Sequence, residues 1–237
     1  MMPISALPKS VDAFIRASPE QVHDWVWRRP WVLTGFCVAA IVAGTGIYGA
    51  VMGSWRNALQ AGYTGIKLPL VILLTTLGNG LLNGMLAPLL GVNLNFRQSL
   101  AALLVSFALA ALVLGALSPV ALFIVWNTPP LTAGTTLTSP AYALLQLTLA
   151  VFVGLAGVIG NVRLLPLLQQ WTGDAVAARN VLLAWLAGNL FLGSQICWVM
   201  RPFIWDSKRP VEFMGPEGFH GNFFETVFDA AWRLAFS

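Results

Sequence analysis

The chain has 237 residues, of which 57% are hydrophobic and only 9% are charged, and its formal net charge is +4. Soluble domains carry roughly 25% charged residues, so this composition excludes an ordinary soluble protein and indicates a polytopic membrane protein. The basic residues stand beside apolar blocks, where topology and lipid headgroups account for them better than nucleic acid does.

Acidic, basic and histidine side chains are absent from long stretches of the chain. The longest stretch, 98–162, runs for 65 residues, and shorter ones cover 30–55, 68–96, 164–173 and 180–200. A helix on a soluble core keeps a charged face toward water, whereas a block without charge is solvated by lipid. We therefore predict an all-α fold, a polytopic integral membrane helical bundle of about five transmembrane helices with flanking interfacial amphipathic helices.

The amino-terminal segment, residues 1–30, is predicted to form short interfacial or cytoplasmic helices. Ser18-Pro19-Glu20-Gln21 has the pattern of a capping box with Pro at the first helical position. No signal-peptide cleavage site is evident, so we expect the first apolar block to remain as an anchor. Three tryptophans around a basic pair are typical of the headgroup region: Trp25, Trp27 and Trp31 around Arg28 and Arg29.

A single bundle of five spans is predicted over residues 31–200. Each span is long enough to cross about 30 Å of hydrocarbon at a rise of about 1.5 Å per residue. Gly115 and Pro119 predict a kink in the third span, and the loop after it is uncharged and rich in turn formers. The predicted spans are 31–52, 67–90, 98–126, 141–162 and 180–200, and Lys67 opens the second of them.

The carboxy-terminal segment, residues 201–237, is aromatic and polar, and we predict that it ends in an amphipathic helix. Flexible linkers and disordered tails lack such aromatic residues, so we expect this segment to be tied down on its own bundle, on the interface or on another subunit. Its predicted contacts with headgroups or a partner are Arg201, Trp205, Phe224, Phe228 and Trp232.

Arg97 and Arg163 have two interpretations. Either arginine binds a phosphate or a lipid headgroup, Arg97 together with Gln98, or it is a topology anchor that reaches to the interface, which we favour. The orientation of the protein follows only weakly from charge, because seven basic residues on the amino-terminal side face six on the other side. The Arg28–Arg29 pair and the uncharged loop 127–140 favour the amino terminus inside.

Beyond Lys67 at the start of the second span, no acid, base or histidine falls inside the predicted spans, which argues against proton-coupled transport and against haem held by histidine. Cys37 and Cys197 lie far apart in apolar blocks and have no metal-ligand spacing. We therefore expect no catalytic residue, no metal and no cofactor.

Amides and small residues are the remaining chemistry of the spans. Asn79 and Asn83 are four residues apart and share a helix face, next to Gly80 and Gly84. We favour helix packing through close backbone approach, and a solute pathway lined by amides is the alternative. The residues predicted to pack helices or to line a solute path are Gly49, Gly53, Asn79, Gly80, Asn83, Gly84, Gly188, Asn189 and Gln195.

Five spans after a non-membrane segment resemble the layout of the Yip1-type membrane proteins. The stretch 91–104 (GVNLNFRQSLAALL) is similar to their loop and helix start between the second and third spans, and Arg201-Pro202-Phe203-Ile204 is similar to a carboxy-terminal element of bacterial relatives. The DLYGP-type motif of the eukaryotic members is absent, so the resemblance does not imply vesicle trafficking. It implies architecture without an established activity.

The sequence therefore favours a non-catalytic membrane protein, a structural, assembly or accessory subunit. Its expected partners are the lipid bilayer and a protein partner or a second copy of itself, without nucleic acid. The alternative is a transporter or channel for a neutral or lipid-like solute. A membrane enzyme ranks third, because the candidate interfacial groups fall on opposite sides of the predicted membrane.

Overall fold

The computed structural model describes residues 11–89, 92, 94–129, 140–204, 211–215 and 218–225. This part of the chain is helical and contains no strand, so the predicted all-α fold is confirmed. Its helices are α1 (Val11–Ile15), α2 (Pro19–Arg28), α3 (Pro30–Ser54), α4 (Ala58–Leu89), α5 (Phe96–Asn127), α6 (Pro140–Thr172) and α7 (Ala175–Met200).

Five of these helices, α3 to α7, are long and apolar enough to cross a membrane. The protein is thus a polytopic integral membrane protein. Helix α4 begins nine residues before Lys67, the residue predicted to open the second span, and α6 continues ten residues past 162, the predicted end of the fourth. Helix α4 starts earlier than predicted because the polar side chains at its start are buried within the protein. Helix α6 ends later than predicted because Arg163 lies exposed on its surface and does not end it.

The amino-terminal helices pack on the bundle. The capping box is confirmed, since the Gln21 amide donates to Ser18 Oγ and the Ser18 amide donates to Gln21 Oε1. A hydrogen bond involving the Ser18 side chain lowers the pKa of the exposed Glu20 carboxyl. The prediction that Trp25 belongs to the headgroup region is wrong, because its side chain is buried in the core with Val22 and Val26, while Trp27 and Trp31 are exposed.

Helix α3 lies at the centre of the bundle and packs against both α4 and α5. Close backbone approach makes this packing possible, because α3 presents glycine at three points where a neighbouring backbone lies close. A β-carbon added at Gly44 would overlap the carbonyl oxygen of Ala111 on α5. At Gly49 and Gly53 it would lie 2.5 Å from the carbonyl oxygens of Thr64 and Gln60 on α4.

The outer helices are α6 and α7. Helix α6 packs on α5, and α7 packs on α4 and α6. In the most apolar window of α7 only 17% of the residues are buried, against 50% in the corresponding window of α5. Few residues of α7 are fully buried, and its exposed large apolar side chains, Val176, Leu183, Leu190 and Phe191, are available to lipid or to another protein.

Candidate functional site: a tail docked on buried polar side chains

Three polar side chains on one face of α4 are fully buried: Gln60, Thr64 and Lys67. They follow each other at intervals of four and three residues, so they form a row along the helix. We call them the polar row. They contact the residues that directly follow α7, about 140 positions further along the chain.

The polar row binds two backbone carbonyl groups of the tail. The Pro202 oxygen accepts from Lys67 Nζ at 2.7 Å and from Gln60 Nε2 at 3.2 Å. The Phe203 oxygen accepts from Gln60 Nε2 and from Thr64 Oγ1, both at 2.9 Å. Non-helical backbone at membrane depth is tolerated where protein groups satisfy its hydrogen bonds. The polar row supplies these bonds and fixes the start of the tail against α4.

Lys67 is a buried cation among aromatic rings. Its Nζ lies 5.2 Å from the ring centre of Phe213, 5.9 Å from that of Phe203 and 6.0 Å from that of Tyr63. No carboxylate of the described residues pairs with it. The prediction that the spans contain no ionisable side chain beyond their ends is therefore wrong at Lys67, which lies inside a candidate span. Cation–π contacts and the Pro202 carbonyl oxygen stabilise the charge of Lys67.

Further contacts hold the tail along α7. We call residues 201–204, 211–215 and 218–225 the docked tail. Its Phe223 amide donates to Gln195 Oε1 at 3.1 Å, and Trp198 Nε1 donates to the His220 carbonyl oxygen at 3.2 Å. Phe224 stacks on Phe191 with ring centres 5.1 Å apart. Trp205, Phe228 and Trp232 lie outside the described residues, as does most of the predicted carboxy-terminal helix.

The intramembrane amides join α4 to α7. Asn79 is fully buried, and its Nδ2 donates to Asn189 Oδ1 and to the Trp185 carbonyl oxygen. Gly188 makes room for this contact, since a β-carbon there would lie 2.6 Å from Asn79 Oδ1. Asn83 is also fully buried, and among the described residues neither atom of its amide has a hydrogen-bond partner. Asn79 and Asn83 have no exposed surface, so neither touches a water-filled space.

The predicted glycine ridges differ in how closely they pack. Gly80 and Gly84 face side chains of α5, with an added β-carbon 3.0 Å from Leu100 and 3.4 Å from Phe96. Gly49 and Gly53 face the backbone of α4 at shorter distance. Side chains can move more readily than backbone, so the α3–α4 contact tolerates less substitution than the α4–α5 contact.

The predicted headgroup arginines occupy different environments. Arg97 donates to the Val26 carbonyl oxygen at 2.7 Å and lies on the Trp27 ring, so it binds α2 to the start of α5. Gln98, its predicted partner on a phosphate, instead forms a capping box with Asn95. Arg163 lies exposed on α6. Arg97 is thus a structural contact within the chain, and Arg163 keeps both of its interpretations.

Two apolar clefts open on the surface of the bundle. A smaller one of about 330 Å³ lies beside Trp31, Phe96 and Arg97. A larger one of about 660 Å³, which we call the lateral cleft, lies between α6, the end of α7 and the docked tail. Leu149 and Phe203 contribute to its apolar wall, and Arg201 and Gln146 are among its polar lining residues.

In the described part of the chain, no three His, Cys, Asp or Glu side chains gather where a metal ion could bind.

The polar row was not among the residues predicted from the sequence, although the spacing of Gln60, Thr64 and Lys67 indicates that these side chains share a helix face. Comparison with protein-family models, with curated proteins and with solved structures found no match.

Proposed function

We propose that this protein is a non-catalytic accessory or assembly subunit of a bacterial inner membrane, with its amino terminus inside, which associates with a larger membrane complex or with itself. The observation that carries the proposal is the use of polar chemistry inside the spans. Gln60, Thr64 and Lys67 bind the tail, and Asn79 binds α7. These groups hold the chain together in one arrangement.

The outer face of α7, together with the docked tail, forms the surface that a partner could contact. Phe191 on α7 is 58% exposed, and its stacking partner Phe224 and Phe219, both in the docked tail, are also exposed. Exposed aromatic side chains are enriched where proteins bind each other. We therefore assign the partner contact to this aromatic surface, Phe191, Phe219 and Phe224.

The transporter alternative ranks second. It requires a solute path along Asn79, Asn83, Asn189 and Gln195. Asn79 and Asn83 have no exposed surface, and Gln195 accepts a hydrogen bond from the tail. The weak resemblance to Yip1-type proteins is compatible with either function, because it concerns architecture alone.

Substitution of Phe191 by Ser tests the proposed function. We expect the wild-type protein, extracted in a gentle detergent, to run as one stoichiometric assembly in native mass spectrometry and the variant to run as a monomer. The matched control is Phe123→Ser, which makes the same change on α5 at a similarly exposed position, 66% exposed. We expect this control to keep the assembly.

Two results would contradict the proposal. A wild-type protein that runs as a lone species argues against an accessory subunit, and equal loss of assembly in both variants argues against the aromatic surface. Protease added to intact spheroplasts tests the orientation separately, because a tag fused to the carboxy terminus should be cut. A tag that is protected from the protease would indicate the opposite orientation, with the amino terminus outside.

A further inference from the structure

The smaller of the two clefts lies at one side of the membrane, where α3 and α5 begin. We call it the amino-terminal cleft. On α3 its lining residues fall within 30–34, and on α5 they fall between Phe96 and Leu104. Leu104 lies eight residues after Phe96 and therefore about 12 Å along α5, at a rise of about 1.5 Å per residue. Because half of the hydrocarbon layer measures about 15 Å, the lining stays within one leaflet.

The wall of the amino-terminal cleft is apolar, and one side of the cleft is open. Leu33 and Leu104 are buried and form the inner wall together with Val26 of α2. Trp31 and Phe96, which are 86% and 42% exposed, also line the cleft and stand at its opening. Tryptophan is enriched at the level of lipid headgroups. The volume of about 330 Å³ lies at the lower end of the range of about 300–1,000 Å³ typical of ligand pockets, so the cleft has room for part of one hydrocarbon chain.

A cation, Arg97, lies in this lining near the start of α5. It contacts α2 through one nitrogen, because Nη2 donates to the carbonyl oxygens of Val26 at 2.7 Å and of Trp27 at 3.3 Å. The Trp27 ring, whose centre lies 5.3 Å from the guanidinium carbon, also holds the group in place. Within the described part of the chain, Nε and Nη1 of Arg97 donate to no protein group. The exposed Arg97 therefore keeps N–H donors for an outside acceptor while it fixes α2.

The charges at this end of the cleft favour an anionic ligand. The remaining donors of Arg97 can form a charge-assisted hydrogen bond to a phosphate oxygen. Arg29 directly precedes the lining residue Pro30, is exposed and adds a second positive charge. Basic residues at the membrane surface attract anionic lipids. The deep end of the cleft, at Leu100 and Leu104, is apolar, so charge and depth together select a ligand with a phosphate at one end and a hydrocarbon chain at the other.

We infer that the amino-terminal cleft binds one anionic glycerophospholipid of the leaflet on this side, with its phosphate on Arg97 and the first part of an acyl chain along Leu104. Helix α2 forms one wall of this site through Val26, whose carbonyl oxygen accepts from Arg97. The lipid thus contacts α2, α3 and α5 together and joins the amino-terminal segment to the bundle. The inference does not depend on the proposed accessory role, because a single copy of the chain contains the whole site.

Native mass spectrometry of the delipidated full chain tests the site with two probes that share their acyl chains. Dioleoyl phosphatidylglycerol carries a phosphate, and dioleoylglycerol lacks it. We expect the wild-type protein to bind the phospholipid more tightly. Arg97→Gln removes a charge-assisted hydrogen bond, so it should weaken phospholipid binding about tenfold and leave dioleoylglycerol binding unchanged. Arg97→Lys keeps the charge and should retain part of the preference for the phospholipid.

Three further variants separate the cleft from general lipid adhesion. Ala101→Phe places a ring in the cleft and should weaken the binding of both probes about tenfold. Its control, Gly157→Phe, adds the same ring on α6, outside the cleft, where nothing lies within 4 Å of an added β-carbon, and should leave binding unchanged. Arg179→Gln removes an exposed arginine of α7, also outside the cleft, and should have no effect.

Several results would overturn the inference. Unchanged phospholipid binding in Arg97→Gln would exclude the phosphate contact, and equal loss of both probes in that variant would mean that Arg97 only holds the wall formed by α2. Equal losses in Arg179→Gln would indicate general attraction of lipid to positive charge. Displacement of the phospholipid by free glycerol phosphate at the same concentration would show that the acyl chain is not bound. If Ala101→Phe disrupts a dimer while lipid binding persists, the cleft is a contact between two copies of the chain.

Discussion

Combined substitution of Gln60 by Leu and Lys67 by Met is expected to release the docked tail from the bundle. The two changes remove both donors to the Pro202 carbonyl oxygen and leave the Phe203 carbonyl oxygen with Thr64 as its remaining donor. A buried carbonyl group without a partner costs about 1–3 kcal/mol. The start of the tail should therefore leave the face of α4, and the contacts that follow it along the chain should open more often.

Hydrogen exchange at two backbone amides measures this release. In the docked tail the Gly215 amide donates to the Arg201 carbonyl oxygen at 3.2 Å, and the Phe223 amide donates to Gln195 Oε1 at 3.1 Å. We expect both amides to exchange about ten- to a hundred-fold faster in the double variant, which corresponds to about 1.4–2.8 kcal/mol of lost local stability. Gln60→Leu alone should give a smaller increase, because each carbonyl then keeps one donor.

Thr76→Val is the matched control for this experiment. Thr76 lies on the same helix, but its hydroxyl donates to the Ile72 carbonyl oxygen of its own preceding turn. Its removal should leave exchange in the tail at the wild-type rate. Unchanged protection of Gly215 and Phe223 in the double variant would mean that the polar row does not hold the tail.

Gly44→Ala is expected to cost more stability than any other single methyl addition considered in the bundle. The new β-carbon would overlap the Ala111 carbonyl oxygen, which belongs to the backbone of α5 and has no rotamer to change. Helix α3 or α5 must then shift along most of their shared interface. Overpacking of this kind costs about 1–3 kcal/mol and can cost more where backbone has to move.

The same substitution at Gly35 is the control for helix propensity. Gly35 lies on the same helix, and nothing lies within 4 Å of a β-carbon built there. Alanine stabilises a helix interior by about 0.5–1 kcal/mol relative to glycine, so Gly35→Ala should leave the thermal unfolding temperature in detergent unchanged or slightly raised. Gly44→Ala should lower it by several degrees. Equal unfolding temperatures for the two variants would contradict the close α3–α5 contact.

The sequence was sufficient to predict the class of the fold and the existence of five spans, because both follow from where charge is absent. It was insufficient for the start of α4. Gln60 and Thr64 precede the predicted second span and Lys67 opens it; their spacing fits one helix face, but nothing local indicates that these side chains would be buried. Their partners are carbonyl groups about 140 residues away, and such a contact leaves no trace in composition or periodicity.

The candidate site residues show the same limit. Asn79 and Asn189 were both predicted to pack helices or line a path, but the sequence did not pair them with each other. Trp25 was assigned to the headgroup region because tryptophan suits both an interface and a core, and only the packing of α2 on the bundle decides between the two. The hydrophobic pattern therefore locates helices, whereas helix packing determines what each polar or aromatic residue does.

The central claim is that the buried side chains of Gln60, Thr64, Lys67 and Asn79 hold the protein together and that the buried amides of the spans line no solute path. Cysteine accessibility in proteoliposomes tests it most directly, with single cysteines at Asn79, at Asn83 and at Ala175, the exposed first residue of α7, in a background where Cys37 and Cys197 are replaced by Ser. We expect a charged, water-soluble thiol reagent to modify the cysteine at 175 rapidly and those at 79 and 83 not at all. Rapid modification at 79 or 83 would contradict the claim and support the transporter alternative.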